Sequence, residues 1–234
     1  MTEPRITLVT GANKGLGLQT ARSLVAAGHT VYVGARDVER GQEAALAIGA
    51  RPLLLDVTSD ESVAAAAAVI ERESGHLDVL VNNAGVGGTP KNAKEITAAD
   101  LLAVYDTNVF GVVRVMHAFL PLLLAGKQPV VVNVSSGMGS LAVTNDPDRF
   151  ESSMVFPAFT SSKTALNMLT SQYAKAFPGI RINAVDPGFT ATDINGHQGT
   201  QTVEEGAEII VRTAAAVSDD TTGGFFDSHG VVPW

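Results

Sequence analysis

The stretch Ile6-Thr7-Leu8-Val9-Thr10-Gly11-Ala12-Asn13-Lys14-Gly15-Leu16-Gly17 decides how this chain is read. A short β-branched run enters a turn with glycine at 11, 15 and 17, and helical composition follows over Leu16–Ala27. Gly11 permits the tight turn, Gly15 lets backbone approach a pyrophosphate, and Gly17 allows close helix–strand packing. The helix start then offers unpaired N–H groups and the positive end of its dipole to phosphates. The spacing is neither G-x-G-x-x-G nor the G-x-x-x-x-G-K-[ST] of ATPases. A glycine-rich turn alone is a weak signal. Its place on the first strand of a series of βα units is what points to a dinucleotide.

Outward from that turn, short apolar runs alternate with helix-period segments. The strands expected are Ile6–Thr10, Thr30–Ala35, Pro52–Leu55, Val79–Asn82, Pro129–Val134, Ile180–Val185 and a short one near Phe225–Asp227. Between them lie Leu16–Ala27, Glu39–Ile48, Asp60–Ser74, Ala98–Ala125, Thr160–Phe177 and Val203–Val217. Uninterrupted runs such as Val130-Val131-Val132 suit parallel strands buried on both faces. Thr58-Ser59-Asp60-Glu61, Thr97-Ala98-Ala99-Asp100 and Thr202-Val203-Glu204-Glu205 each resemble a capping box at a helix start. The alanines at 64–68 predict a helix face packed on the sheet. The expectation is one α/β domain over 1–234, a doubly wound parallel sheet of about seven strands with helices on both faces.

Composition narrows the function classes. The 234 residues fit a single domain, and 45% hydrophobic with 17% charged residues is a globular balance. There is no cysteine, which excludes disulfides, thiolate nucleophiles and cysteine-held metals. A net charge of −8 has the wrong sign for holding nucleic acid or an anionic membrane. Val63–Ile70, the longest apolar run, is too short to span a bilayer. The first residues have no signal-peptide pattern, so a soluble cytoplasmic protein is expected. The histidines at 29, 76, 117, 197 and 229 show no metal spacing, and there is no G-x-S-x-G elbow.

Six motifs in order carry a family resemblance. They are Thr10-Gly11-x-x-x-Gly15-x-Gly17, Asp56-Val57, Asn82-Asn83-Ala84-Gly85, Asn108, Ser135-Ser136 and Pro187-Gly188. Together they are similar to the short-chain dehydrogenase/reductase family over nearly the whole chain, nearest to its monomeric carbonyl-reductase-like members. The resemblance implies a Rossmann-like fold and hydride transfer between a nicotinamide cofactor and a carbonyl/alcohol pair. It places the cofactor on Gly11, Asn13, Lys14, Gly15, Leu16 and Gly17, with Asp56 and Val57 at the adenine. Asn83, Ala84, Gly85 and Lys163 follow, then Pro187, Gly188, Thr190 and Thr192 near the carboxamide and pyrophosphate. The second strand ends in Arg36 where NAD-binding relatives carry an acid, so Arg36 and Lys14 favour the 2′-phosphate of NADP. Asp37 reads as the cap of the next helix.

The resemblance also assigns a catalytic set of Asn108, Ser136, a tyrosine and Lys163, and here the chain departs from it. The family's tyrosine precedes the lysine by four residues, one helix face apart, and exchanges the substrate proton. At that position stands Phe159, which has no hydroxyl. Tyr32, Tyr105 and Tyr173 do not have the spacing. Three readings are open: a reductase whose tyrosine was exchanged by engineering, a natural variant reducing imines or activated double bonds, and a non-catalytic NADP-binding sensor or scaffold. Residues 144–155 read as an insertion beside the site and 189–201 as a substrate lid. A small carbonyl or imine substrate and a monomer or homodimer are expected, with no nucleic acid, membrane or metal.

Overall fold

The computed structural model describes residues 3–216 and 221–234. One sheet holds β1 (Ile6–Thr10), β2 (Thr30–Ala35), β3 (Arg51–Leu54), β4 (Val79–Asn82), β5 (Val130–Val134), β6 (Arg181–Val185), β7 (Phe225–Asp227) and β8 (Gly230–Val231). Their order across the sheet is β3-β2-β1-β4-β5-β6-β7-β8. The first seven are parallel, as the alternation of strands and helices requires; β8 turns back antiparallel on β7. That eighth strand was not expected. Two residues carry no readable alternation, and the turn exists because Asp227 accepts the N–H groups of His229 and Gly230. The order reverses between β1 and β4, and the C-terminal ends of those strands border the crevice where α/β sheets bind ligands.

Both faces are covered, which is why the strands read as unbroken apolar runs. Val9, Val33, Val81 and Val132 pack with Leu24 of α1 (Gly15–Ala26), Ala45 of α2 (Val38–Ile48) and Ile210 of α8 (Val203–Ala215). Leu8, Leu80 and Val131 pack on the other face with Ile70 of α3 (Asp60–Ser74), Phe119 of α5 (Gly111–Leu124) and Leu166 of α7 (Pro157–Ala176). The alanine run of α3 packs only in part: Ala66 is buried with Val63 and Ile70 and Ala67 lies against that cluster, while Ala64, Ala65 and Ala68 are exposed. Alanine serves there as a helix former.

The expected helix over 98–125 is interrupted. α4 (Ala98–Tyr105) runs through a π turn at Asp106–Phe110 into α5. Within the continuous stretch Ala98–Leu124, an 18-residue window has a mean hydropathy of 1.5, and half of that window is buried within the protein. Thr97 and Thr202 form the capping boxes read from sequence. Ser59 caps α3 from Ser62 N, so the third box fails for want of a carboxylate at Ser62. Thr58 turns instead to Asp56. α7 begins at Pro157, which suits a first helical turn and lengthens the helix beyond the expected Thr160. A short helix, α6 (Leu141–Thr144), and a 3₁₀ turn at Phe150–Ser153 fill the segment between β5 and α7. Val217, the expected end of the last helix, lies outside the described residues.

Gly17 sits where α1 crosses the β1 turn. A Cβ there would lie 2.6 Å from Gly11 O and 2.9 Å from Ala12 Cα, and closer still to Asn83 Nδ2. Gly17→Ala is expected to cost about 1–3 kcal/mol by overpacking, read as a lower urea midpoint at unchanged m-value. Gly179→Ala, with nothing within 4 Å of its Cβ, should leave the midpoint in place.

Candidate active site

Among the described residues, five α-helices have side-chain caps at their N-termini, supplied by Asp37, Ser59, Thr97, Ser140 and Thr202. α1 has none: Lys14 holds the cap position without a side-chain bond. The first-turn N–H groups of a 12-residue helix are thus left without a side-chain acceptor, and a Cβ at Gly15 would meet only Thr192 Cγ2, at 3.9 Å. Open donors, a favourable dipole and free space fit a pyrophosphate. The turn is tied to the end of β4. Asn83 Nδ2 donates to Thr10 O (2.9 Å) and Gly11 O (3.1 Å), and the N–H groups of Asn83 and Ala84 both donate to Thr10 Oγ1 at 3.0 Å.

The ends of β1 and β2 carry the charges expected, with one surprise. Arg36 is exposed at the end of β2, and Asp37 caps α2 through Arg40 N. Lys14 is engaged: its ammonium pairs with Asp193, from the loop after β6. Asp193 also meets His197 Nε2 at 2.8 Å, and the Lys14 hydrogen bond holds its carboxyl below the usual range. Asp56 spends one carboxylate oxygen on Thr58 N (2.9 Å) and Thr58 Oγ1 (2.7 Å), which orders the turn after β3; that backbone bond lowers its pKa. Val57 is buried beneath.

At the C-terminal ends of β4 and β5, three predicted residues converge. A Cβ at Gly85 would lie 3.5 Å from Asn108 Oδ1 and 3.7 Å from Lys163 Nζ. Lys163, on α7, is 6% exposed and donates to Val134 O at 2.7 Å. Burial lowers its pKa to about 8, against an opposing pull from Asp186. The Phe159 ring sits one helical turn earlier, its centroid 5.7 Å from Lys163 Nζ, within cation–π range. Asn108 lies in the π turn, and its amide is fully used. It accepts from Val86 N (2.9 Å) and donates to Val86 O and Ser162 Oγ (both 3.0 Å). Its side chain therefore ties the β4 loop to α7. Ser136, just past β5, accepts from Met138 N at 3.2 Å. That leaves its O–H to donate.

After β6, Pro187 and Gly188 follow the strand as read. Thr190 is 4% exposed and its hydroxyl is spent, donating to Pro187 O (3.0 Å) and accepting from Gln201 Nε2 (2.9 Å). It pins the loop, whereas Thr192 faces the Gly15 turn. The sequence reading missed a buried polar chain under the site. Asn82 Nδ2 donates to Asn133 Oδ1 (2.8 Å), Asn133 Nδ2 to Thr170 Oγ1 (2.8 Å), and Ser135 Oγ to Asn167 Oδ1 (2.5 Å). Asn133, an amide inside an otherwise valine strand, was the available signal.

The Lys163 ammonium has a testable linkage. Folded, it loses its proton near pH 8; unfolded, near its ordinary 10.5. Between those values the unfolded chain binds more protons, so this residue makes stability rise with pH across that window. The urea midpoint of the cofactor-free protein should carry that rise, and Lys163→Met should remove it.

Comparison with known proteins identifies relatives over the whole chain. A family model for short chain dehydrogenases matches residues 5–203. A short-chain dehydrogenase of Penicillium roqueforti is 37% identical, over 92% of this chain and 89% of its own length. The (+)-neomenthol dehydrogenase of Arabidopsis thaliana is 32% identical, with 97% and 96% covered. Among solved structures, an NADPH-bound carbonyl reductase from chicken fatty liver superimposes with a TM-score of 0.88 at 30% identity, covering all of both chains. A family match over most of the chain and relatives above 30% identity settle the membership: the chain belongs to the short-chain dehydrogenase/reductase family of oxidoreductases.

Proposed function

We propose that this chain is an NADPH-dependent reductase of apolar carbonyl compounds. The observation that carries the reading is that Lys163 Nζ and Asn108 Oδ1 both approach Gly85, 3.7 and 3.5 Å from where its Cβ would lie. When bound, the cofactor supplies a hydride at nicotinamide C4. Gly11, Asn13, Lys14, Gly15, Leu16 and Gly17 hold its pyrophosphate from the α1 end, and Asp56 and Val57 border the adenine. Asn83, Ala84 and Gly85 wall the nicotinamide side, with Pro187, Gly188, Thr190 and Thr192 opposite. Lys163 binds the ribose hydroxyls, and Ser136 donates to the substrate oxygen. Arg36 takes the 2′-phosphate, joined by Lys14 on release from Asp193; a guanidinium grips phosphate with paired bonds.

The segments 144–155 and 189–201 frame the substrate. Phe150 and Phe189 approach each other with ring centroids 5.8 Å apart while remaining 59% and 39% exposed, and Val155, Phe156 and Ile194 are exposed nearby in sequence. Apolar side chains left in the open at both rims of a crevice suit an apolar substrate. A second reading has its own observation. Phe159 brings no hydroxyl, and imines or activated double bonds need less help from an acid.

NADPH consumption by the protein and by Phe159→Tyr, side by side, separates the readings. Against aldehydes, ketones and quinones the variant should gain about 10²-fold or more, the usual worth of a positioned acid. Turnover of cyclic imines or enones by the parent, unimproved in the variant, would favour the second reading. NADPH binding without turnover by either would leave a sensor or scaffold. Arg36→Glu should weaken NADPH far more than NADH, read by fluorescence titration; an equal loss of both would refute the cofactor assignment.

A further inference from the structure

Ser136 caps a 3₁₀ turn, Gly137–Gly139, and the shape of that turn sets where its hydroxyl lies. Ser136 Oγ accepts from Met138 N at 3.2 Å, and Ser136 O accepts from Gly139 N at 2.8 Å. Gly137 O accepts from Ser140 N at 3.0 Å, so Ser140 closes the turn. At Gly137 the Glu151 and Asp186 carboxyl groups converge, 2.7 and 2.8 Å from where a Cβ would lie. α7 supplies one hold: Asn167 Nδ2 donates to Gly139 O at 3.1 Å. A Cβ at Gly139 would lie 2.8 Å from Lys163 Cβ, so the turn rests directly on that helix.

A second hold comes from the segment after β8. Ser140 is fully buried, and its hydroxyl has one proton to give. It donates that proton to Pro233 O at 2.6 Å, 93 residues along the chain, while its oxygen accepts from Val143 N at 3.0 Å and caps α6. Ala142 N then donates to Trp234 O at 3.2 Å. α6 has four residues, too few to stand as a helix alone, so its place is set by its packing. Val143 is buried with Val232, Ala184 and Phe225 in a small cluster apart from the two that cover the sheet. The Trp234 ring stacks on Phe225, with centroids 5.5 Å apart and planes 17° from parallel. The contacts thus run without a break from Trp234 and Pro233 to Ser140, and from Ser140 through Gly137 to Ser136.

We propose that Val232–Trp234 braces the serine turn, and that Ser140 and Trp234 are positioning residues which aim the Ser136 hydroxyl at the substrate oxygen. The inference rests on the reading of Ser136 as the donor to that oxygen. Trp234 is 44% exposed while its partner Phe225 is 1% exposed, so the stack is anchored from within and its outer ring can be changed without opening the core. A reacting group displaced by 1 Å loses about 10²-fold in rate. The brace therefore bears on kcat, and not on NADPH binding at α1.

Trp234→Ala and Ser140→Ala should each lower kcat for NADPH oxidation by about 10- to 10²-fold, with acetophenone and cyclohexenone as probes in the parent and in Phe159→Tyr. The Kd of NADPH should stay in place, and Trp234→Phe, which keeps a ring on Phe225, should retain most of kcat. In a Ser136→Ala background the further loss from Trp234→Ala should vanish, because the group being aimed is gone. Losses that multiply instead, or a raised substrate KM at unchanged kcat, would overturn the proposal. Hydrogen exchange followed by mass spectrometry reads the brace without turnover. In both alanine variants the peptide over 136–144 should exchange faster, while the peptide over β1 and α1 keeps its rate. Unchanged exchange at 136–144 would overturn the brace. Faster exchange there, with the parent and Phe159→Tyr both silent toward the probes, would overturn the reductase reading and the aiming role with it, while the brace stands.

Discussion

A hydrogen-bond chain through the sheet fixes where α7 lies, and nearly everything at the site follows from that position. Asn82 of β4 donates to Asn133 of β5, Asn133 donates to Thr170 of α7, and Thr170 donates to Leu166 O at 2.9 Å. Asn133 and Thr170 are fully buried and Asn82 nearly so, and a buried polar group left without a partner costs about 1–3 kcal/mol. The helix cannot slide along the sheet without breaking the chain. Asn167 adds a second anchor, accepting from Ser135 Oγ and donating to Gly139 O. With α7 held, Lys163 reaches Val134 O and the Phe159 ring lies beside its ammonium.

The fold was legible because its signals are redundant. Seven strands, their parallel order and most helix ends follow from runs such as Val130–Val132 and from caps such as Thr97 and Thr202, each of which acts locally. The site was legible in part. Gly11, Gly17, Asn83 and Lys163 sit in motifs whose spacing encodes their geometry. What escaped the sequence depends on meetings of distant segments. Nothing near Lys14 announces Asp193, and nothing near Ser136 announces that Glu151 and Asp186 converge on the next residue. The eighth strand and the π turn at Asp106–Phe110 escaped for a different reason. Both are single-turn events too short to impose a period.

Position 159 is held through its backbone. Ser162 Oγ still donates to Phe159 O at 2.7 Å and receives Asn108 Nδ2, so the backbone at 159 is held by bonds that do not involve its side chain. Phe159 therefore occupies its place without disturbing the elements around it. Its ring also lies beside the Lys163 ammonium, which otherwise has a carbonyl oxygen as its only hydrogen-bond acceptor among the described residues.

The short eighth strand bears on how copies of this chain meet. A parallel sheet normally ends in a row of unsatisfied amides that can pair with another molecule. Here β7 is shielded by two antiparallel residues, Val232 N returns to Phe225 O, and Pro233 brings no N–H. Trp234 stacks on Phe225 and its carbonyl accepts from Ala142 N, turning the strand direction off the sheet. The opposite edge, β3, carries Pro52 in its second position. Both rims are thus poor templates for strand addition, which disfavours continuous sheets between neighbours and the fibrillar growth that begins from them.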